Sequence, residues 1–517
     1  MDVVFIDIPA DFAVPIPSWC LGYRSMISTL REEGFEAMIL HPIHEINVDS
    51  RQRLIDDLLR INPRIAGFTT YDSNLLDLFH FIHDVREAGF RSHITLGGFS
   101  ASSVAEEILA FSSHVDSVVR GEGDFAIVDL ARIVIRGEHR EREGIFLRQG
   151  DEIRFPGPRP LIDDLDILPL PVCDDFMVNG RQSVLKYTSG DALVAASRGC
   201  YGKCAFCSPH SFYEAHPGRS WRGRGAGKIV QEIAAAVRLN GARSLTFVDE
   251  NFLGPGQVGR RHALSVAGEM EKNSLSIPFN FACRPNDVDR ATFAALKDSG
   301  LSAVTLGIES MSPETLKLFA KGTTPEINER AIGILEELKL FVEITFIFFH
   351  PLISLNEIRM NLDFLQRVQE SSFAYFSKNM PFTEWIPLFK TKLTDRLEAL
   401  NLVQRNFPEY TFRYGDPRIE ELVGMIRSVP LDHLSRFTNG LRSSDPELKE
   451  VLQSLRKYEI HLNMVRLPEL LSDGCDVLDR HDSLTGRQGR AILHEIDQEI
   501  ERIDSMFRLF ETLRRER

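Results

Sequence analysis

Long apolar runs are missing from this 517-residue chain. No stretch approaches the ~20 residues that a membrane-spanning helix needs, and the strongest, around Ile344 to Phe349, has only the length of a strand. A surplus of positive charge is missing too. With 60 Lys and Arg against 74 Asp and Glu, the formal net charge of −14 opposes a phosphate backbone, so nucleic acid is a poor default partner. The basic end Leu513-Arg514-Arg515-Glu516-Arg517 closes a predicted helix, whose dipole favours cations there. The opening Met1-Asp2-Val3-Val4-Phe5-Ile6-Asp7 has acids within its apolar run and no basic region before it, against a signal peptide. Cysteine is scarce and odd in number, seven, which argues against a disulfide framework and for a cytoplasmic location. No repeat or low-complexity segment is present.

What remains is an ordinary globular composition, 43% hydrophobic and 26% charged, so real cores are expected. The length suggests about three domains. Residues 1–150 alternate β-rich runs with amphipathic stretches. Strands are predicted at Val3 to Ile8, Ala37 to Leu40, Ile65 to Thr70, Ile94 to Leu96 and Ser117 to Val119. Helices are predicted at Gly22 to Glu33, Arg51 to Arg60, Leu75 to Glu87 and Ser103 to Ala110. That alternation is the mark of a parallel, doubly wound, Rossmann-like α/β sheet. Ligands of such sheets sit at the carboxyl ends of strands, where Gly lets them approach the backbone. Two turns qualify, Leu96-Gly97-Gly98-Phe99-Ser100 and Arg120-Gly121-Glu122-Gly123-Asp124.

Residues 151–190 carry Pro156, Pro158, Pro160, Pro169 and Pro171, a density that blocks helix and central strand alike and marks a linker. Over residues 191–391 the alternation resumes, with strands predicted at Ala192 to Ser197, Ser244 to Asp249, Phe279 to Cys283, Ala303 to Glu309, Glu343 to Phe349 and Phe373 to Ser377. Six βα units suit a partial (β/α)6 barrel of the TIM type. Residues 392–517 show few strand signals and prevailing helical periodicity, as in Asp445 to Lys457 and Arg490 to Arg517, and form a helical C-terminal domain.

Three of the seven cysteines crowd into Ser197-Arg198-Gly199-Cys200-Tyr201-Gly202-Lys203-Cys204-Ala205-Phe206-Cys207, just after the first barrel strand. Three thiolates on one loop can grip three irons of a cubane 4Fe-4S cluster and leave the fourth iron open. That iron can be chelated by the amino and carboxylate groups of S-adenosylmethionine, whose sulfonium an electron then splits to a 5′-deoxyadenosyl radical. The alternative is structural zinc on Cys200, Cys204, Cys207 and His210, although structural zinc favours two separated ligand pairs. Cys20, Cys173, Cys283 and Cys475 are scattered and read as small apolar residues. His80 and His83, one helical turn apart, have no acidic or thiol partner in sequence and read as packing or surface residues.

The spacing of Cys200, Cys204 and Cys207 resembles the signature of the radical S-adenosylmethionine superfamily. Phe206 matches its aromatic residue near the adenine. Phe247-Val248-Asp249-Glu250-Asn251-Phe252 resembles its second-strand motif, and Leu306-Gly307-Ile308-Glu309-Ser310 its fourth-strand motif. The resemblance implies S-adenosylmethionine contacts from Phe206, Asp249, Glu250, Asn251, Arg284 and Glu309. The N-terminal half resembles the cobalamin-binding subgroup of that superfamily: Gly22 through Gly34, Leu96 to Ser100, Val119 to Gly123 and Leu165 to Pro169 match its pieces in order. Cobalamin contacts are thereby implied for Gly22, Thr70, Tyr71, Gly97, Gly98, Phe99, Ser100, Gly121 and Glu122.

Two departures stand out. No D-x-H-x-x-G loop occurs, and the stretch after the third strand reads Phe68-Thr69-Thr70-Tyr71-Asp72-Ser73-Asn74, so Thr70 or Tyr71, rather than histidine, is expected below the cobalt. The fifth-strand turn, often Gly-rich in relatives, reads Phe348-Phe349-His350-Pro351-Leu352. The resemblance implies a cobalamin-dependent radical methyltransferase that uses two S-adenosylmethionine molecules to methylate an unactivated carbon of a small-molecule or peptide natural product. An external reductant such as flavodoxin or ferredoxin is implied as partner. The alternative keeps both cofactors and performs a cyclisation or rearrangement. RNA modification is opposed by the acidic balance and the lack of a basic, β-rich C-terminal domain. A non-catalytic sensor is opposed by the barrel with its cysteine loop. Trp385, Phe389 and Tyr410 are candidates equally for substrate contact and for core.

Overall fold

The structure is a computed structural model that describes residues 1–6, 8, 21–41, 48–138, 142–150, 152–172, 176–178, 181–183, 191–377, 382–430, 453, 456–459, 461–481 and 483–515. The chain divides into two compact units. One is Met1–Thr305 with Phe319–Gly322 and Pro387–Thr411; the other is Leu306–Leu318 with Thr323–Ile386 and Phe412–Arg517. Cys20, Cys173 and most of the helix expected over 445–457 lie outside the described residues.

In the first unit, β1 (Val3–Ile6), β2 (Ala37–His41), β3 (Ile65–Thr69), β4 (His93–Gly97), β5 (Ser117–Val119), β6 (Ile145–Gln149), β7 (Glu152–Arg154), β8 (Phe176–Val178) and β9 (Arg181–Ser183) form one sheet. Its order is β7-β6-β5-β4-β3-β1-β2-β8-β9. The six central strands are parallel, whereas β6, β7 and β9 fold back antiparallel at the edges. Every residue of β1 and β5 is buried, which is why β1 reads as an unbroken apolar run and β5 has a single polar residue, Ser117, whose hydroxyl bonds Thr95: a parallel strand covered on both faces has no polar side to show. Because β1 pairs with both β2 and β3, the strand order reverses there, and the crevice at their carboxyl ends is the natural ligand site. Thr70 and Tyr71 leave β3 at that crevice, and Gly97 ends β4 beside it.

The sequence reading differs in detail. The helix expected over 103–110 is two, Phe99–Ser103 and Ala105–Phe111, broken at Val104 where φ is −130° and ψ 37°. Two strands, β8 and β9, stand inside the Pro-rich linker; the prolines end at Pro171, and the apolar Phe176-Met177-Val178 is free to pair with β2.

The second sheet takes its strands in chain order: β10 (Asp191–Val194), then β13 (Ser244–Phe247), β14 (Phe279–Cys283), β15 (Leu301–Glu309), β16 (Phe341–Phe346) and β17 (Ala374–Phe376). Helices Ala226–Asn240, Gly256–Lys272, Arg290–Asp298, Pro325–Glu337 and Leu355–Glu370 fill the gaps, the βα order expected of a partial barrel. The division between the units falls within β15. Between β10 and β13, two-residue strands β11 (Ser197–Arg198) and β12 (Arg222–Gly223) pair antiparallel and close the base of the excursion that carries the three clustered cysteines.

After residue 392 a hairpin, β18 (Val403–Asn406) and β19 (Glu409–Phe412), joins the expected helices. Phe389 is 2% exposed within the core of the nine-stranded sheet, and Phe407 and Tyr410 pack against the same core. Trp385, also 2% exposed, lies edge-on to Phe412 at 5.8 Å in the second unit. Of the three aromatic candidates for substrate contact, Phe389 and Trp385 are thus core residues and Tyr410 is half-buried against the core. In the second unit Arg359 of the helix Leu355–Glu370 bridges Asp476 and Asp479 of the helix Leu467–Arg480 at 3.0 and 2.6 Å. Among the described residues no helix is long and apolar enough to cross a membrane.

Candidate functional site

The cysteine loop leaves the carboxyl end of β10 and is held by the strands beside it. Gly199 has φ +87°, and a Cβ there would lie 1.7 Å from the Ser220 carbonyl oxygen, so the loop passes Ser220 only as glycine. The Gly199 N–H donates to Glu250 Oε2 at 2.9 Å, and the Tyr213 hydroxyl donates to Glu250 Oε1 at 2.9 Å. Asp249 accepts from Ala196 N at 3.1 Å and from the Ser197 hydroxyl. Asn251, fully buried, accepts from Arg284 N and donates to Asp287, both at 3.2 Å. The side chains of the second-strand motif therefore brace the loop from beneath. Burial pushes the Asp249 carboxyl up to about 7, against the donors Ser197 and Ala196.

On the loop itself, the Gly202 N–H donates to Cys200 Sγ at 3.2 Å and Arg284 Nη1 donates to Cys204 Sγ at 3.1 Å. Arg284 also donates to the Lys321 carbonyl and lies over the Tyr201 ring at 5.6 Å. The backbone of Ala205 is tied on both sides, its N–H to Phe319 O at 2.7 Å and its carbonyl to Leu393 N at 2.8 Å. Phe206 meets Phe319 edge-on at 5.0 Å. Burial pushes the Cys200 thiol up and the Cys207 thiol up to about 12, so a metal bound here must displace protons. Among the described residues no three His, Cys, Asp or Glu side chains converge closely enough to hold a single ion. Three thiols on one braced loop fit a cluster, which takes each thiolate on a different iron.

In the nine-stranded sheet, Gly98 has φ +102° and stands at the start of Phe99–Ser103; a Cβ there would meet Thr69 Oγ1 at 2.9 Å. Thr70 is buried, and its hydroxyl is engaged twice, donating to Gly97 O at 3.0 Å and accepting from Ala101 N at 2.7 Å. Tyr71, by contrast, is 49% exposed. Of the two residues expected below a cobalt, Tyr71 is the exposed one, just past β3 at the strand-order reversal. A Cβ at Gly22 would meet nothing within 4 Å, and one at Gly97 only Val119 at 3.8 Å and beyond, so both leave room for a ligand. These features fit a flat macrocycle over the carboxyl ends of β1, β3 and β4. Ser100 donates to Asp72, whose carboxyl also accepts from Phe389 N at 2.7 Å and is pushed up by burial.

The turns after β4 and β5 abut the helix Ser208–Glu214 that starts right after Cys207. Phe99 meets Phe212 edge-on at 4.9 Å, and His216 Nε2 would lie 2.8 Å from a Cβ at Gly121. His216 is 6% exposed, and Nε2 has no hydrogen-bond partner among the described residues. Glu122 has its carboxylate occupied internally: Arg198 Nη1 at 3.1 Å, Arg222 Nη1 at 2.9 Å and Ile162 N at 2.7 Å. Sequence reasoning missed Arg198, Arg222, Asp124, Tyr213 and His216. Arg198 bonds Asp124 across 74 positions, a separation that no local pattern signals.

Glu309 belongs to the second unit. Its φ of +65° places a bulky residue in the left-handed region, an outlier of the kind that collects at functional sites. Thr345 Oγ1 donates to its carboxylate at 3.3 Å. His350, in the turn that departs from the Gly-rich pattern, is 1% exposed. Its Nδ1 accepts from Leu352 N at 3.3 Å, so Nε2 carries the proton and donates to Thr315 Oγ1 at 2.9 Å; that hydroxyl donates onward to Glu357 at 2.7 Å. Burial holds the imidazole down at about 4 and therefore neutral.

Residues 194–365 match the Radical SAM superfamily. An uncharacterized methyltransferase of Pyrococcus horikoshii is 25% identical over 402 residues, which span 76% of this chain and 81% of that protein. An anaerobic magnesium-protoporphyrin IX monomethyl ester cyclase of Cereibacter sphaeroides is 25% identical over 370 residues, spanning 69% of this chain and 58% of that protein. Among solved structures, the cobalamin-dependent S-adenosylmethionine radical enzyme OxsB, with aqua-cobalamin and S-adenosylmethionine bound, matches with a TM-score of 0.73 and 19% identity over 99% of this chain and 80% of its own.

Proposed function

From a chain that contains a radical SAM domain and has the fold of a cobalamin-dependent radical enzyme, we propose a cobalamin-dependent radical methyltransferase acting on an unactivated carbon of a small-molecule or peptide substrate. The observation that carries it is adjacency. The turns after β4 and β5, where a sheet of this kind binds its ligand, pack through Phe99 on the helix that follows Cys207 and through Gly121 on His216 just beyond that helix. Two cofactors held on those two loops would face one substrate.

Cys200, Cys204 and Cys207 would hold a 4Fe-4S cluster, with Phe206, Arg284 and the chain at Asp249 to Asn251 around S-adenosylmethionine. Gly22, Tyr71, Gly97, Gly98, Phe99, Ser100 and Gly121 would line the cobalamin. Bound together, these groups supply a hydrogen-abstracting radical and a transferable methyl group. The protein supplies placement. Glu250 and Asp249 keep the loop backbone still, and Arg284 lays a positive charge against the Cys204 sulfur. Preset placement of the reacting centres lowers the barrier without altering the cofactors' chemistry. The reductant would be an external flavodoxin or ferredoxin, in a cytoplasmic setting.

The test is a reduced, anaerobic reaction with methyl-deuterated S-adenosylmethionine. Expected are S-adenosylhomocysteine and 5′-deoxyadenosine together, with the label in the product. The cyclase relative supports a second reading, cyclisation or rearrangement without methyl transfer. That reaction would yield 5′-deoxyadenosine without stoichiometric S-adenosylhomocysteine and leave the product unlabelled.

A further inference from the structure

We propose that Glu122 and Asp124 are positioning residues for the cysteine loop, acting through Arg198 and Arg222; the inference rests on Cys200, Cys204 and Cys207 being the cluster's ligands. Four charges, two of each sign, meet inside the first unit. Arg198 forks onto Asp124 at 2.7 and 3.1 Å and reaches Glu122 at 3.1 Å, while Arg222 reaches Glu122 at 2.9 Å and the Ile162 carbonyl at 2.8 Å. The carboxylates are themselves fixed, Asp124 by Ser25 Oγ at 2.6 Å and Glu122 by Ile162 N at 2.7 Å. Asp124, Glu122 and Arg222 are 3%, 9% and 2% exposed, so both carboxylates are buried, while the Arg198 side chain keeps 24% of its exposure.

Their position gives the charges a task. Arg198 and Arg222 face each other across the two-residue ladder of β11 and β12, and Cys200 stands two residues beyond Arg198. So short a ladder has little stability of its own, and its paired guanidinium groups repel. Both carboxylates come from the turn after β5, and together they neutralise the pair and set where the ladder lies. A buried charge network adds little net stability over apolar packing, and its best-attested use is to select one arrangement. Here that arrangement is the base of the cluster loop.

The test uses the full chain in two states. In the metal-free protein, Glu122→Gln, Asp124→Asn and Arg198→Lys should each speed amide hydrogen exchange across residues 197–204 by about tenfold, the loss of one charged hydrogen bond. Arg86→Gln, which removes a pair with Asp116 elsewhere in the same unit, serves as the control for general destabilisation and should leave that stretch unchanged. In the anaerobically reconstituted protein the three variants should start with the parent's iron content and lose iron to a chelator faster. Unchanged exchange in the three variants, or equal acceleration in the control, overturns the proposal. If the parent itself takes up no iron, the cluster reading fails while the exchange result still decides the positioning claim. Should Asp124→Asn not fold, Arg198→Lys, which keeps the charge and loses the planar fork, decides by the same readouts.

Discussion

The residues of the second-strand motif show how side chains of a neighbouring strand end brace the loop that carries the cysteines. Asp249 accepts two hydrogen bonds from the strand end that launches the cysteine loop, in a site so buried that its carboxyl is pushed up to about 7. Its folded pKa lies above the unfolded one, so its contribution to stability is fully present below about pH 4 and is lost as pH rises through 7. Asp249→Asn removes that loss. The thermal midpoint of the variant should therefore gain on the parent between pH 4 and 7, and a difference that stays flat over this range would rule out a buried neutral acid. Tyr71 poses a spectroscopic question. If its ring lies below the cobalt, bound Co(II) should show no nitrogen splitting in electron paramagnetic resonance, and Tyr71→His should introduce it. A nitrogen triplet in the parent would sink the placement.

At the scale of the element, two glycines separate packing from binding. Gly98 begins a helix with φ +102° and with Thr69 and Thr70 against it, so Gly98→Ala should destabilise by about 1–3 kcal/mol in denaturant titrations. Gly22 sits in the helix Leu21–Glu32 with open space at its Cβ position, so Gly22→Ala should stabilise by up to about 1 kcal/mol. If cobalamin approaches that face, the same variant should bind it more weakly. Unaltered cobalamin affinity in the stabilised variant would remove Gly22 from the site. Capping behaves more simply. Ser354 and Glu357 form a reciprocal box at the start of Leu355–Glu370, and Ser354→Ala should cost about 1 kcal/mol.

For the whole molecule, the segment Pro387–Thr411 matters more than its place in the chain suggests. It belongs to the unit of the nine-stranded sheet, where Phe389 enters the core and its N–H meets Asp72 across 317 positions. Lys390 and Arg405 both pair with Glu107, at 3.2 and 3.1 Å. Phe389→Ala should therefore cost about 3–5 kcal/mol in the unfolding of that unit, and a loss below 1 kcal/mol would show that the segment is only draped over it. A deletion starting near residue 400 would cut through this segment, so loss of cofactors in such a variant would speak of core damage rather than of substrate selection.

Sequence alone determined the order of elements and the grouping of three cysteines on one loop. Continuous apolar runs such as Val3 to Ile6 and Ile65 to Phe68 already read as buried parallel strands, because burial on both faces leaves no alternation to confuse with another structure. The grouping of Cys200, Cys204 and Cys207 was legible because all three lie within eight positions of one another. Partnership at long range was not legible. Glu122, which by its turn reads as a cofactor contact, turned out to be engaged by Arg198, Arg222 and Ile162, and Thr70 by Gly97 and Ala101. Phe389 and Trp385 read equally as ligand contacts and as core. Hydrogen-bond and packing partners tens or hundreds of positions away leave no periodic trace, since each is selected by the space that folding creates, and only the tertiary structure decides which polar groups remain to meet a ligand.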